Sequence, residues 1–201
     1  MRRVFALLVL VALGAVAGHV YLQRHGLSAK GRPSAVEAWV AGQLRRLATP
    51  ERIRQRANPL PATPEVLESA RRHFADHCAS CHANDGSGQT EIGQGLYPPA
   101  PDLRLAATQR LRDGELFAII EDGIRFTGMP GWGDGSEASA RQSWELVDFI
   151  RHLPRLTPQE LRDMARFNPV SPMEEEERDA ERRFLEGGPA PSPEPQHHEP
   201  H

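Results

Sequence analysis

Cys78-Ala79-Ser80-Cys81-His82 is the stretch of this chain best suited to chemistry. Two residues between the thiols let one turn of backbone present both sulfurs to the vinyl groups on one edge of a haem, and the adjacent His82 turns its imidazole under the iron. The chain has two cysteines and both lie in this pentapeptide, so no structural disulfide competes for them. Three other readings of the same residues compete with this one. A zinc site needs two further Cys or His ligands at matching spacing, and there is no second cysteine pair. A thioredoxin-like dithiol follows a strand in a βαβ pattern, whereas this motif follows an amphipathic helical stretch and precedes the loop Asn84-Asp85-Gly86-Ser87-Gly88. The third is a chance match in an exported chain. Covalent haem attachment is the expectation.

For the opposite haem face the candidate is Met129, in Thr127-Gly128-Met129-Pro130-Gly131-Trp132, where glycine and proline enforce a loop. Such a loop can carry a thioether over the haem. Of the four methionines, Met1 is excluded by position, while Met164 and Met173 lie in helical, charge-rich sequence. An ordinary core methionine is the plain alternative for Met129, and ligation by another histidine is the rival for the iron. Trp132 is placed to line the haem edge or meet a propionate.

These residues need elements to position them, and every predicted element is helical. Thr63-Pro64-Glu65 reads as an N-cap with proline in the first turn, after which Val66, Leu67, Ala70 and Phe74 share a face up to Cys78. Asp113-Gly114-Glu115 opens a second helix bearing Leu116, Phe117, Ile119 and Ile120 and ending at Gly123. A third runs from about Ala138 to Leu153, where Pro154 stops it, with Trp144 and Phe149 expected to meet Phe74 in the core.

Phe74-x-x-x-Cys78-x-x-Cys81-His82, then a glycine-rich loop and Gly123-Ile124-x-x-x-Gly128-Met129-Pro130, resembles a class I mono-haem c-type cytochrome of the bacterial, membrane-anchored or exported kind. The resemblance covers about Pro64 to Pro154. It implies an all-α cytochrome c fold in which the first and last core helices cross, and one covalent haem c that does no bond-making chemistry. It also implies that a proline carbonyl orients the proximal imidazole, with Pro99 and Pro101 of Tyr97-Pro98-Pro99-Ala100-Pro101-Asp102 as candidates.

Five segments follow. Residues 1–22 read as a signal peptide or transmembrane anchor, because Val4 to Val16 carries no charge and the apolar character persists to Leu22 apart from His19. An uncleaved anchor is favoured over cleavage after Ala15-Val16-Ala17, and the haem domain is expected on the periplasmic side of the cytoplasmic membrane, where c-type haem is attached. Residues 23–62 form a basic, partly helical linker in which Val36, Trp39, Val40, Leu44 and Leu47 are spaced for an amphipathic helix. Two uses are equally open, an anionic lipid surface and packing on the haem domain or a partner. The haem domain spans 63–154, a helical extension 155–186, and a disordered His/Pro-rich tail 187–201. In that tail His197, His198 and His201 are a candidate copper, nickel or zinc site.

The function expected is periplasmic electron transfer by an electron carrier rather than an enzyme, with His82 and Met129 as axial ligands and redox proteins, a dehydrogenase or a terminal oxidase, as partners. A haem enzyme or gas sensor with an open distal site is one alternative, and a metal-responsive accessory protein using the His tail is another. Nucleic acid is not an expected partner of an exported chain with net charge −3.

Overall fold

The computed structural model describes residues 2–26, 28–29, 31–170 and 172–187 of the 201. Among them every regular element is helical, as the sequence predicts. In chain order these are α1 (Arg2–His25), α2 (Ala35–Ala48), α3 (Glu51–Arg54), α4 (Pro64–His73), α5 (Ala79–His82), α6 (Glu91–Gly95), α7 (Ala106–Gln109), α8 (Asp113–Asp122), α9 (Glu137–His152), α10 (Pro158–Met164) and α11 (Pro172–Leu185).

At about 1.5 Å per residue, α1 reaches roughly 35 Å, enough for a hydrocarbon core of about 30 Å. Its large apolar side chains are exposed, Val4, Leu8 and Leu13 among them. It is a candidate membrane anchor. A capping box starts α2: the Glu37 backbone N–H donates to Ser34 Oγ at 3.2 Å and the Ser34 N–H to Glu37 Oε2 at 2.8 Å.

The core forms where α4 packs across α9, with α8 against α9's other side. Thr63 caps α4 by accepting from the Val66 N–H, with Pro64 in the first turn as expected. Phe74 meets Phe149 at 5.1 Å between ring centroids. Trp144, expected beside Phe74, instead stacks on Phe117 at 4.2 Å, because α8 supplies the flat partner its indole covers best.

Three further features depart from the sequence reading. First, α4 does not run on as an α-helix to the cysteines; Phe74–Cys78 is one π-helical turn. The widened turn lets the consecutive residues Phe74 and Ala75 both stay buried and leaves Cys78 partly buried against the same core. Second, α10, expected in an extension, closes the same core. Met164 is fully buried in it, His152 Nε2 lies 2.9 Å from Glu160 Oε1, and the Arg72 guanidinium covers Phe167 at 4.9 Å.

Third, residues 51–60 of the basic segment are packed down rather than free. Arg56 lies over the Phe117 and Trp144 rings at 4.8 and 5.2 Å, a cation–π contact on the exposed side of that aromatic pair. The Asn58 amide donates to the Trp144 carbonyl at 2.9 Å. A Cβ on Gly114 would stand 2.0 Å from the Ile53 carbonyl oxygen, so only glycine allows α3 to approach α8 this closely.

Beyond the core, α11 carries Glu174 and Glu175 in its first turn and Arg182 and Arg183 in its last, complementing its dipole. Residue 171 lies outside the described residues, as do His197, His198 and His201 and the rest of the tail from residue 188.

Candidate haem site

The π-turn hands the chain directly to α5, so Cys78, Cys81 and His82 stand on one short helical stretch. Ala83 ends it with φ 59°, a left-handed conformation that costs a residue with a Cβ. That reversal lets the loop after His82 fold back beneath the motif.

The fold-back is held by hydrogen bonds to the motif's own carbonyls. The Gly88 N–H donates to the His82 carbonyl at 2.8 Å, and the Thr90 hydroxyl donates to the Cys81 carbonyl at 3.2 Å while capping α6. Ala100 N–H donates to the Gly93 carbonyl and Leu103 N–H to the Gly86 carbonyl, both at 2.8 Å. Two glycines make the closeness possible. A Cβ at Gly93 would stand 2.1 Å from the Cys81 carbonyl oxygen, and one at Gly88, where φ is already +71°, 2.4 Å from that of Ala100.

Inside this fold-back, burial sets the electrostatics. It pushes the Cys78 thiol pKa up to about 12, with the neighbouring Cys81 adding to the shift. Burial likewise lowers the His82 pKa, opposed by the Pro101 backbone. Of the two candidate prolines, Pro101 is the one whose backbone acts on the ring. Even so, His82 Nδ1 is buried without a hydrogen bond of good geometry. Asp102, next in sequence, pairs with Arg104, which also reaches Asp85 at 2.8 Å and so ties the proline segment to the loop after the motif.

Met129 sits half-buried in a loop closed on itself. Ile124 N–H donates to the Met129 carbonyl at 3.0 Å, and Met129 N–H to Thr127 Oγ1 at 3.1 Å. Trp132 and Gly133 N–H groups then donate to the Ile120 and Glu121 carbonyls, pinning the loop to the end of α8. Two contacts bring it to the cysteine segment. The Trp132 ring meets His77, next to Cys78, edge-on at 5.5 Å, and Leu96 packs so tightly on Gly128 that a Cβ there would lie 2.6 Å from its methyl carbon. These contacts set the Met129 loop against residues that flank the motif; for Pro99 the structure gives no contact to His82, and the tail histidines lie outside the described residues.

Thr90, Gly93, Leu96 and His77 were not singled out in the sequence. For Thr90 a local signal exists, the Thr-Glu pair opening a short helix; the other three act through contacts that no local pattern carries. A separate cavity of about 510 Å³ beside His73, Gln142 and Phe167 includes neither cysteine, His82 nor Met129.

Residues 65–150 match the family model for cytochrome c oxidase, cbb3-type, subunit III. The chain carries a c-type cytochrome domain. It is 38% identical over 53 residues to the cbb3-type cytochrome c oxidase subunit FixP of Sinorhizobium medicae (strain WSM419), a match covering 23% of this chain and 18% of the relative. It is 31% identical over 72 residues to the corresponding subunit FixPc of Rhizobium leguminosarum bv. viciae, covering 36% and 23%. The chain thus spans about a fifth of the length of the curated relatives it matches.

A c-type cytochrome domain holds covalently bound haem c and transfers electrons. The residues present fit that group: two unpaired thiols one helical turn apart, with an imidazole at the end of the same turn. Among the described residues no group of three or more His, Cys, Asp or Glu side chains is arranged to hold a separate metal ion.

Proposed function

We propose that this protein is a membrane-anchored electron carrier exchanging electrons with a cbb3-type terminal oxidase, as one of its subunits or beside it. Cys78 and Cys81 would hold the haem through thioether links, and His82 and Met129 would ligate its iron. The observation that supports this most is the contact of the Met129 loop with residues flanking the motif, Trp132 on His77 and Gly128 on Leu96. The haem bound there supplies a one-electron couple, and a methionine–histidine ligand pair raises its potential.

The chain's own residues keep that site rigid. Thr90 and Gly88 hold the Cys81 and His82 carbonyls, and the Pro101 carbonyl would accept from His82 Nδ1 and fix the ring's orientation. Bonds within 124–133 hold the Met129 backbone in one conformation. A site held in this way reorganises little between oxidation states, which suits a carrier. With α1 in the cytoplasmic membrane, the domain faces the periplasm.

The test is an absorption spectrum of the full-length, detergent-extracted haem protein in both oxidation states. The ferric form should show a weak far-red sulfur-to-iron band that is lost in Met129→Ala, with the reduction potential falling, and the ferrous wild type should not bind carbon monoxide. A missing band with rapid carbon monoxide binding would instead establish an open iron and overturn the carrier reading.

A further inference from the structure

We propose that the apolar stripe of α2 is seated in the headgroup layer of an anionic bilayer, and that the Glu37–Tyr97 hydrogen bond sets the haem domain against that seat. This rests on α1 acting as the membrane anchor. The stripe comprises Val36, Trp39, Val40, Leu44 and Leu47, which are 70, 65, 40, 61 and 82% exposed. At about 100° per residue the five fall within an arc of roughly 140°, a single helix face. The described residues of the chain do not cover this face, so α2 is not packed on the haem domain through it.

Position and charge select the occupant. Residues 26–34 join α1 to α2 and reach at most about 30 Å, so a spanning α1 keeps α2 close to the bilayer surface. Arg32 precedes the helix, Arg45 and Arg46 lie in its last turn and Arg52 follows, a concentration of positive charge suited to anionic headgroups. Trp39 adds an amphipathic ring of the kind favoured at membrane interfaces. The helix's one acidic residue is engaged: Glu37 accepts from the Ser34 N–H at 2.8 Å and from the Tyr97 hydroxyl at 2.9 Å.

That last bond gives the seat a consequence for the haem site. Tyr97 opens the segment leading to Pro101, the residue whose backbone acts on His82. One hydrogen bond thus connects the surface helix to the loop on the His82 side of the site. Glu37 lies at the edge of the stripe, about 20° around the helix from Leu44, so the domain's placement follows from how deep the stripe sits.

The test uses the full-length haem protein, whose two native cysteines are consumed by haem attachment, so one introduced thiol is uniquely labelled. Nitroxide probes are placed at Leu44→Cys, Leu47→Cys and, on the opposite face, Ala38→Cys, and read in the ferrous state in vesicles of phosphatidylcholine with or without phosphatidylglycerol. Flotation with the vesicles first reports whether α1 inserts. In anionic vesicles the ratio of oxygen to nickel-chelate accessibility should be about threefold or more higher at positions 44 and 47 than at 38, and should fall when phosphatidylglycerol is omitted or in Arg45→Glu/Arg46→Glu. Equal ratios at all three positions, in protein that floats, would leave the stripe in water and overturn the seat while sparing the anchor. Shielding of position 44 from both reagents would assign the stripe to a protein contact and overturn it equally. Protein that does not float would refute the anchor, and the seat with it.

Discussion

Gly93→Ala tests the fold-back beneath the cysteine motif. The new Cβ would lie 2.1 Å from the Cys81 carbonyl oxygen and 2.9 Å from both the Gly88 carbonyl oxygen and Thr90 Oγ1. Carbon–oxygen contacts settle near ~3.3 Å, so the two backbones must part by about 1 Å. Overpacking of this kind costs about 1–3 kcal/mol. Two hydrogen bonds sit on the displaced segment, Thr90 hydroxyl to the Cys81 carbonyl and Ala100 N–H to the Gly93 carbonyl, and each is worth about 1 kcal/mol. Alanine's better helix propensity returns roughly 1 kcal/mol. The net loss is about 3 kcal/mol, which for a domain of this size lowers the melting temperature by ~10–20 °C.

Gly95→Ala is the internal control. It makes the same change in the same helix, with nothing within 4 Å of the new Cβ, and should leave stability unchanged or raise it by up to about 1 kcal/mol. Thermal unfolding of the detergent-extracted haem protein, followed through the haem absorption, compares the two directly. Melting temperatures within about 2 °C of each other would refute the reasoning, because the clash at Gly93 would then relax at almost no cost.

Other substitutions address the rest of the structure. Met164→Ala should destabilise the protein by about 2–5 kcal/mol, measured by the same melt, since the side chain is fully buried; a loss below about 1 kcal/mol would mean that α10 does not close the core. A hydrogen bond from Arg104 holds the Asp102 carboxyl below the usual carboxylate range despite some desolvation. Because the folded pKa is the lower one, the stability it contributes is complete above about pH 4 and is lost as pH falls through the folded value. Arg104→Gln should therefore shrink the acid-side stability difference and move the onset of acid unfolding to higher pH; a pH–stability profile that overlays the wild type would contradict this.

Much of the architecture was legible because its signals are local. The ends of α8 and α9 fall within a residue of their periodic apolar patterns, and the cap of α4 stands where Thr63 announces it. As motifs, the cysteine pentapeptide and the Met129 loop were equally plain, since rigid spacing and Gly-Pro chemistry are written in consecutive residues. What escaped depends on partners distant in sequence. Arg56 looked like one more charge in a basic run, yet its guanidinium lies over aromatic rings contributed by α8 and α9. Met164 looked like part of a polar helix because one buried side chain in a single short turn makes no period. The π-turn at Phe74–Cys78 has no composition of its own, and the choice between Pro99 and Pro101 needed three-dimensional geometry.

The clasp formed by Arg56, Asn58 and the α3–Gly114 approach bears on kinetics. Had the whole basic segment been a loose leash, the domain could sweep a wide volume and meet partners by diffusion, as a mobile shuttle does. Packed down from residue 51 onward, and bonded again through Tyr97 to Glu37, the domain has little leash left. With α1 in a bilayer, a neighbouring complex then sees the haem at a high effective concentration or hardly at all, depending on where that neighbour stands. Electron exchange in such an arrangement is first order, that of a fixed relay, and its rate follows lateral placement in the membrane rather than the amount of carrier in the compartment.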